Sequence, residues 1–120
     1  MNKARKYDLA ASFSNFSDKV VDVFAPGVEV NSTVPGGKYQ SLGGTSMASP
    51  NAAGVAAIIK GYFPNLTAAQ IKTIIMESSR KYNGLVVKSK ELGKVEFDKL
   101  SKTAGVVDAY NAFMMAQKMK

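Results

Sequence analysis

Apolar positions along the chain follow two different periods. Val20 to Phe24 (VVDVF) is a short β-branched and aromatic run closed by Ala25-Pro26-Gly27, which predicts a buried strand and then a turn. Val28, Val30 and Ser32 alternate with Glu29, Asn31 and Thr33, predicting a second strand. Pro35-Gly36-Gly37 then reads as a hairpin turn into a strand from Lys38 to Leu42, ended by Gly43-Gly44. From Thr45 the period lengthens. Met47, Ala48, Ala52, Val55, Ile58, Ile59 and Tyr62 recur at three- and four-residue steps, the spacing of a helix. Pro50 is read into its first turn, where a missing N–H costs little. The front half of this helix is almost all Ala, Ser and Gly, as in a helix threaded through the middle of a protein with backbone close on every side.

Pro64-Asn65 breaks that helix, and Thr67 with Gln70 predicts a capping box at the start of the next. Ala69, Ile71, Ile74, Ile75 and Ser78 supply its apolar face through to about Ser79. Leu85-Val86-Val87 and Val95-Glu96-Phe97 bracket Glu91-Leu92-Gly93, a two-stranded excursion. Gly105 opens a final helix, from Val106 to about Lys118, with Val107, Tyr110, Ala112, Phe113 and Met114 expected inside. There is no internal repeat, low-complexity tract or linker. The mixture is α/β. Three helices over so few short strands leave the sheet too thin, and part of it is expected to be missing.

Composition narrows the class. The 120 residues make one domain at most, with 46% hydrophobic and 21% charged residues, an ordinary globular balance. No apolar run exceeds that of Val55 to Ile59, far short of the ~20 residues needed to span a bilayer, so no membrane span is expected. Met1 to Phe16 has no apolar core of signal-peptide length, so no secretory signal is expected in this chain. Cysteine and histidine are both absent, which removes disulfides, thiol chemistry and the commonest general base and metal ligand. The net charge of +7 invites a nucleic-acid reading. Its distribution argues against one: Lys3, Arg5 and Lys6 cluster at the N-terminus, Arg80 to Lys102 mixes seven basic with three acidic residues, and the middle is nearly uncharged. No nucleic-acid partner is expected.

Chemistry concentrates at Gly44-Thr45-Ser46-Met47-Ala48-Ser49-Pro50, followed by Ala53-Gly54. These nine positions resemble the nucleophile segment of the subtilisin-like (subtilase) serine peptidases, GTSMA-S/T-P-x-x-AG. Ala11 to Asn15, Val21-Asp22-Val23 with Ala25-Pro26-Gly27, and Ser32-Thr33 with Pro35-Gly36 resemble the segments before that serine in the family. Pro64 to Thr67 and Gly105 to Ala109 resemble those after it. The resemblance implies a serine endopeptidase that hydrolyses polypeptides through an acyl-enzyme, with Ser46 as the catalytic nucleophile. Alone, a serine at that place reads as a helix N-cap. A hydroxyl is a weak nucleophile and needs a base and oxyanion donors; the free N–H groups and dipole of a helix start supply the second. Gly43 and Gly44 let backbone or substrate come close.

Other polar residues read differently. Ser12, Ser14 and Ser49 are expected to be structural hydroxyls, and Asp22 a structural carboxylate. Asn15, Asn31 and Asn51 can donate hydrogen bonds, yet none stands where the family has its oxyanion asparagine, well upstream of the serine. Leu42, by resemblance, lies near the leaving-group side of the cleft. Gly43 stands where members often have serine or asparagine, and Asn51 where many have histidine.

Subtilases order their triad Asp, His, Ser along the chain. With Ser46 so early and no histidine, the resemblance implies the C-terminal part of a three-layer subtilisin-like domain, a parallel sheet between helices, incomplete as an isolated chain. Residues 1–44 would be strands and turns leading to the nucleophile, 45–63 the nucleophile helix, 67–79 a helix, 85–101 a hairpin-like excursion and 105–119 the C-terminal helix. The isolated chain is expected to be inactive and to self-associate through surface meant for the rest of its domain. No cofactor or metal site is expected in it; a structural calcium belongs at most to the complete domain. The family suggests a secreted or extracytoplasmic setting. The other reading is a non-catalytic truncated paralogue or assembly module that keeps the segment as packing.

Overall fold

A tight turn at Pro35-Gly36-Gly37 folds two short strands onto each other just before the glycine pair. In the computed structural model, which describes residues 9–119, these are β1 (Val30–Val34) and β2 (Lys38–Leu42), antiparallel with Val30 opposite Leu42 and Val34 opposite Lys38. The helix α1 (Thr45–Tyr62) follows, then α2 (Ala68–Ser78), β3 (Arg80–Lys81), β4 (Val86–Ser89) and β5 (Gly93–Glu96). A 3₁₀ turn over Phe97–Lys99, β6 (Gly105–Val106) and α3 (Ala109–Met119) complete the order. The basic cluster Lys3, Arg5 and Lys6 lies outside the described residues. Helices and strands mix as in an α/β fold, with β1 paired to β2, β3 to β6 and β4 to β5.

Val20 to Phe24 is not a buried strand. Val20 is 77% exposed, and Phe24 alone pairs, through a parallel bridge to Val106. Its N–H donates to the Gly105 carbonyl at 2.9 Å and its carbonyl accepts the Val107 N–H at 2.8 Å. Strand propensity is realised only where a neighbouring strand runs alongside, and here that neighbour touches a single residue. The rest of the run is tied down by the Lys102 N–H on the Val21 carbonyl and the Thr103 hydroxyl on the Asp22 carbonyl, at 2.8 and 2.7 Å.

Two apolar cores form. The first joins Val55 and Ile59 of α1, Leu66, Ile71 and Ile74 of and just before α2, and Ala112 and Ala116 of α3. The second gathers Val87, Phe97, Leu100 and Ala104 under Phe24 and Tyr82, whose rings lie 5.2 and 5.9 Å from that of Phe97. The small-residue helix α1 is covered on one side only: Ile58 and Tyr62, two of its periodic apolar positions, are 49% and 72% exposed. Its open stripe runs through Gly54, Ala57, Ile58 and Gly61.

The helix starts follow local chemistry. At α2 the Thr67 hydroxyl accepts the Gln70 N–H at 3.2 Å and the Gln70 carboxamide oxygen accepts the Thr67 N–H at 2.8 Å, closing the capping box. The last helix starts at Ala109, not near Gly105. Gly105 and Val106 are held in strand pairing with Lys81 and Arg80, while Asp108 accepts the Asn111 N–H at 2.9 Å and so fixes the start four residues later. Ala112 and Ala116 face inward, while Tyr110 and Met114, expected inside, are 73% and 38% exposed.

Asp22 is structural here, paired with Lys72 of α2 at 3.0 Å and with Lys102 at 3.2 Å. Hydrogen bonds from Lys72 first and Lys102 second hold its carboxyl below the ordinary value of 3.8. A lowered folded pKa means the stabilisation is complete above the unfolded value and is lost as pH falls through the folded one. The complete domain is therefore expected to lose part of its acid resistance below about pH 4 on protonation of Asp22. Asp22→Asn should flatten that part of an acid titration followed by circular dichroism; the exposed lysines keep the effect small and salt-sensitive.

Candidate active site

Gly44 is the N-cap of α1, with φ 152° and ψ 169°, so Thr45 and Ser46 are the first two helical residues. Their N–H groups have no intrahelical carbonyl to reach, no side chain caps the helix, and no acidic residue stands in its first turn. Ser46 is exposed. Its hydroxyl thus sits in water beside the positive end of an 18-residue helix, where developing negative charge is favoured.

Backbone contacts hold this helix start against the Ala25-Pro26-Gly27 segment, which is irregular chain leading to a bend at Val28-Glu29. The Gly44 N–H donates to the Gly27 carbonyl at 2.7 Å, and the Gly44 carbonyl accepts the N–H groups of Met47 and Ala48 at 3.0 and 3.2 Å. Gly27 has no room for a side chain: a Cβ there would lie 2.8 Å from the Gly44 oxygen and 3.0 Å from the Ala48 Cβ. Gly27→Val is expected to destabilise the complete domain by about 1–3 kcal/mol, the usual size of overpacking at an unyielding contact. A denaturant midpoint equal to that of the parent would refute it.

Pro50 does not lie in the first turn. It is the sixth residue of α1, inside the helix, and its missing N–H leaves the Ser46 carbonyl without the donor that a helix supplies four residues on. Asn51 Nδ2 donates to the Pro26 carbonyl at 2.8 Å and to the Met47 carbonyl at 3.2 Å. Sequence reasoning missed both Gly27 and this use of Asn51. The Ala-Pro-Gly turn signal pointed to the first; nothing local pointed to the second.

The remaining residues singled out in the sequence are spread around this start. Leu42 ends β2, two residues before Gly44, and is 38% exposed. Thr45, Ala48, Ser49 and Ala52 present one stripe of α1 to a cavity of about 520 Å³, shared with Phe13, Ser14, Asn15 and the Ala25–Val28 segment. The Ser14 hydroxyl donates to the Asn15 carbonyl at 3.0 Å, and Asn31 lies in β1 opposite Ser41. Ser12 is exposed. Asp22 is engaged by its two lysines and is not a base for Ser46. Among the described residues no group of three His, Cys, Asp or Glu side chains comes together.

Comparison with known proteins gives these features a family. The model of the subtilase family matches residues 2–105. Over 69 residues the chain is 48% identical to the thermostable alkaline protease of Halalkalibacterium halodurans, covering 58% of this chain and 19% of that protein. Over 74 residues it is 47% identical to subtilisin NAT of Bacillus subtilis subsp. natto, covering 62% and 19%. The chain thus spans about a fifth of the length of these curated relatives. In three dimensions it is similar to a chain of the subtilase cytotoxin SubAB assembly, with a TM-score of 0.71 and 27% identity over 87% of this chain and 29% of that one. The strands, helices and glycine-lined helix start are part of the subtilisin-like α/β fold. With most of its length matched, the chain belongs to the subtilase family of serine peptidases.

Proposed function

We propose that this chain is the nucleophile-bearing, C-terminal part of a subtilisin-like serine endopeptidase domain, with Ser46 as the catalytic serine. The observation that carries the reading is the setting of Ser46: exposed, second in a long uncapped helix, and free of acidic neighbours in its first turn. In the complete domain a histidine from outside these residues takes the Ser46 proton while Oγ adds to the scissile carbonyl, and an aspartate holds that histidine in its working tautomer. The tetrahedral oxyanion is met by the Ser46 N–H and by donors from the rest of the domain. Collapse breaks the C–N bond, the proton passes to the leaving amine, and water then releases the acyl group from Ser46. Leu42, just before the glycine pair, touches the leaving-group side of the polypeptide substrate.

The first partner of the chain is the remainder of its own domain. The open stripe of α1 and the exposed strand β2 suit burial there, and in its absence they drive self-association. Among the described residues no helix is long and apolar enough to cross a membrane, and the family supports a secreted or extracytoplasmic setting. Labelling the complete domain with a fluorophosphonate probe, and locating the adduct by mass spectrometry, tests the reading. An adduct on the peptide holding Ser46 supports it, and labelling elsewhere overturns it.

One observation favours a second reading. The 120 residues contain no histidine, which suits a non-catalytic module that retains the segment as packing. The coding sequence ahead of Met1 separates the two: segments bearing the aspartate and histidine support the enzyme, and a stop codon supports the module.

A further inference from the structure

The turn of α1 that carries Ser46 lacks two of the restraints that hold an ordinary helix start. Its N-cap is Gly44, which has no side chain to bond back into the first turn. Pro50 lies inside the helix without an N–H, so the Ser46 carbonyl lacks the donor four residues on, and the proline ring crowds it. The Ser46 N–H and hydroxyl are thus mounted on a turn that lacks a side-chain cap and one helical donor.

Asn51 supplies the missing restraint from outside the helix ladder. Its single carboxamide nitrogen has two N–H bonds and uses them on two carbonyls, Met47 at 3.2 Å and Pro26 at 2.8 Å. Met47 directly follows Ser46, and Pro26 directly precedes Gly27, whose carbonyl accepts the Gly44 N–H at 2.7 Å. The links close a ring: Asn51 to Pro26, along the chain to Gly27, across to Gly44, through Ser46 to Met47 and back to Asn51. Thr45 and Ser46 both lie on that ring with a hydroxyl and a helix-start N–H, and Ser46 is the one that directly precedes Met47.

We infer that Asn51 is a positioning residue for Ser46, fixing the helix start against the Pro26-Gly27 segment so that the hydroxyl and N–H keep the placement that acyl transfer needs. The inference rests on the reading of Ser46 as the nucleophile. Asn51 is solvent-exposed, so its bonds compete with water and add little to stability. Their effect falls on alignment, where small misplacements of a reacting group cost rate steeply.

The test uses the complete domain, with three variants at this position. Asn51→Ala and the near-isosteric Asn51→Leu remove the donor, and Asn51→His returns an N–H on a different frame. The removals are expected to lower kcat and the single-turnover rate of fluorophosphonate acylation by about ten- to a hundredfold, with KM and the melting midpoint near those of the parent. The histidine variant is expected to recover most of that loss. Removal variants with kcat within twofold of the parent, a loss carried by KM, or a fall in melting midpoint that tracks the loss of rate would each overturn the inference. So would failure of both removal variants to fold, which would make Asn51 a purely structural residue. A parent that is labelled away from Ser46 would instead strike the nucleophile reading, and this inference with it.

Discussion

Ser46→Ala in the complete domain is expected to lower kcat by about 10⁶-fold, with KM little changed. The size is the one known for loss of the nucleophile in subtilisin, a protein of this family, and is carried over rather than derived from this chain. The direction is derived from the site. Alanine keeps the helix start, the Gly27–Gly44 contact and the unpaired N–H groups, so substrate binding and oxyanion stabilisation survive. What disappears, on the proposed reading, is the oxygen that forms the acyl bond. The residual rate is then that of water attacking a carbonyl held in a prepared site, still above the uncatalysed rate. Steady-state kinetics on a specific peptide decide the matter: a variant retaining more than about a tenth of parental kcat removes Ser46 from this role.

The isolated 120-residue chain is expected to hydrolyse no peptide at a measurable rate and to take up no fluorophosphonate at Ser46. No histidine is present, and the hydroxyl stays protonated at neutral pH without a base beside it. The carboxylate of Asp22 is occupied by Lys72 and Lys102. A helix dipole favours an oxyanion once formed, but cannot carry a proton from serine to a leaving amine. Probe labelling of the isolated chain, abolished by Ser46→Ala, would show that a base exists within these residues and would overturn the expectation.

Which features could be read from the sequence depended on how far apart their causes lie. The β1–β2 hairpin and the Thr67–Gln70 capping box are decided by residues within a few positions of each other, and both formed where their patterns indicated. Val20 to Phe24 has strand composition, but its pairing depends on segments near Val106, and only Phe24 finds a partner. The start of α3 was misplaced because Gly105 and Val106 are claimed by Arg80 and Lys81, again far along the chain. Pro50 was read as a first-turn proline although the helix start was already placed at Thr45; counted from there it is the sixth residue, inside the second turn. Around Ser46 the motif was legible, since its glycines and small residues are contiguous. The support behind it was not, because Asn51 and Pro26 are 25 residues apart and nothing in either neighbourhood announces the bond.

The division into two cores is expected to make the joint between them the first part of such a domain to yield on warming. Phe24 packs with the second core, and Val55 and Ile59 anchor α1 in the first. Between them stand the carbonyls of Pro26 and Gly27, to which the nucleophile helix is tied by two hydrogen bonds. Local opening at such a joint requires less free energy than global unfolding. Warming would loosen this seam while both cores remain packed, and inactivation would come before any melting that circular dichroism detects. For such a domain, heat tolerance is a property of the joint more than of the cores, and a covalent or better-packed tie across Pro26 and α1 would raise the working temperature without adding to either core.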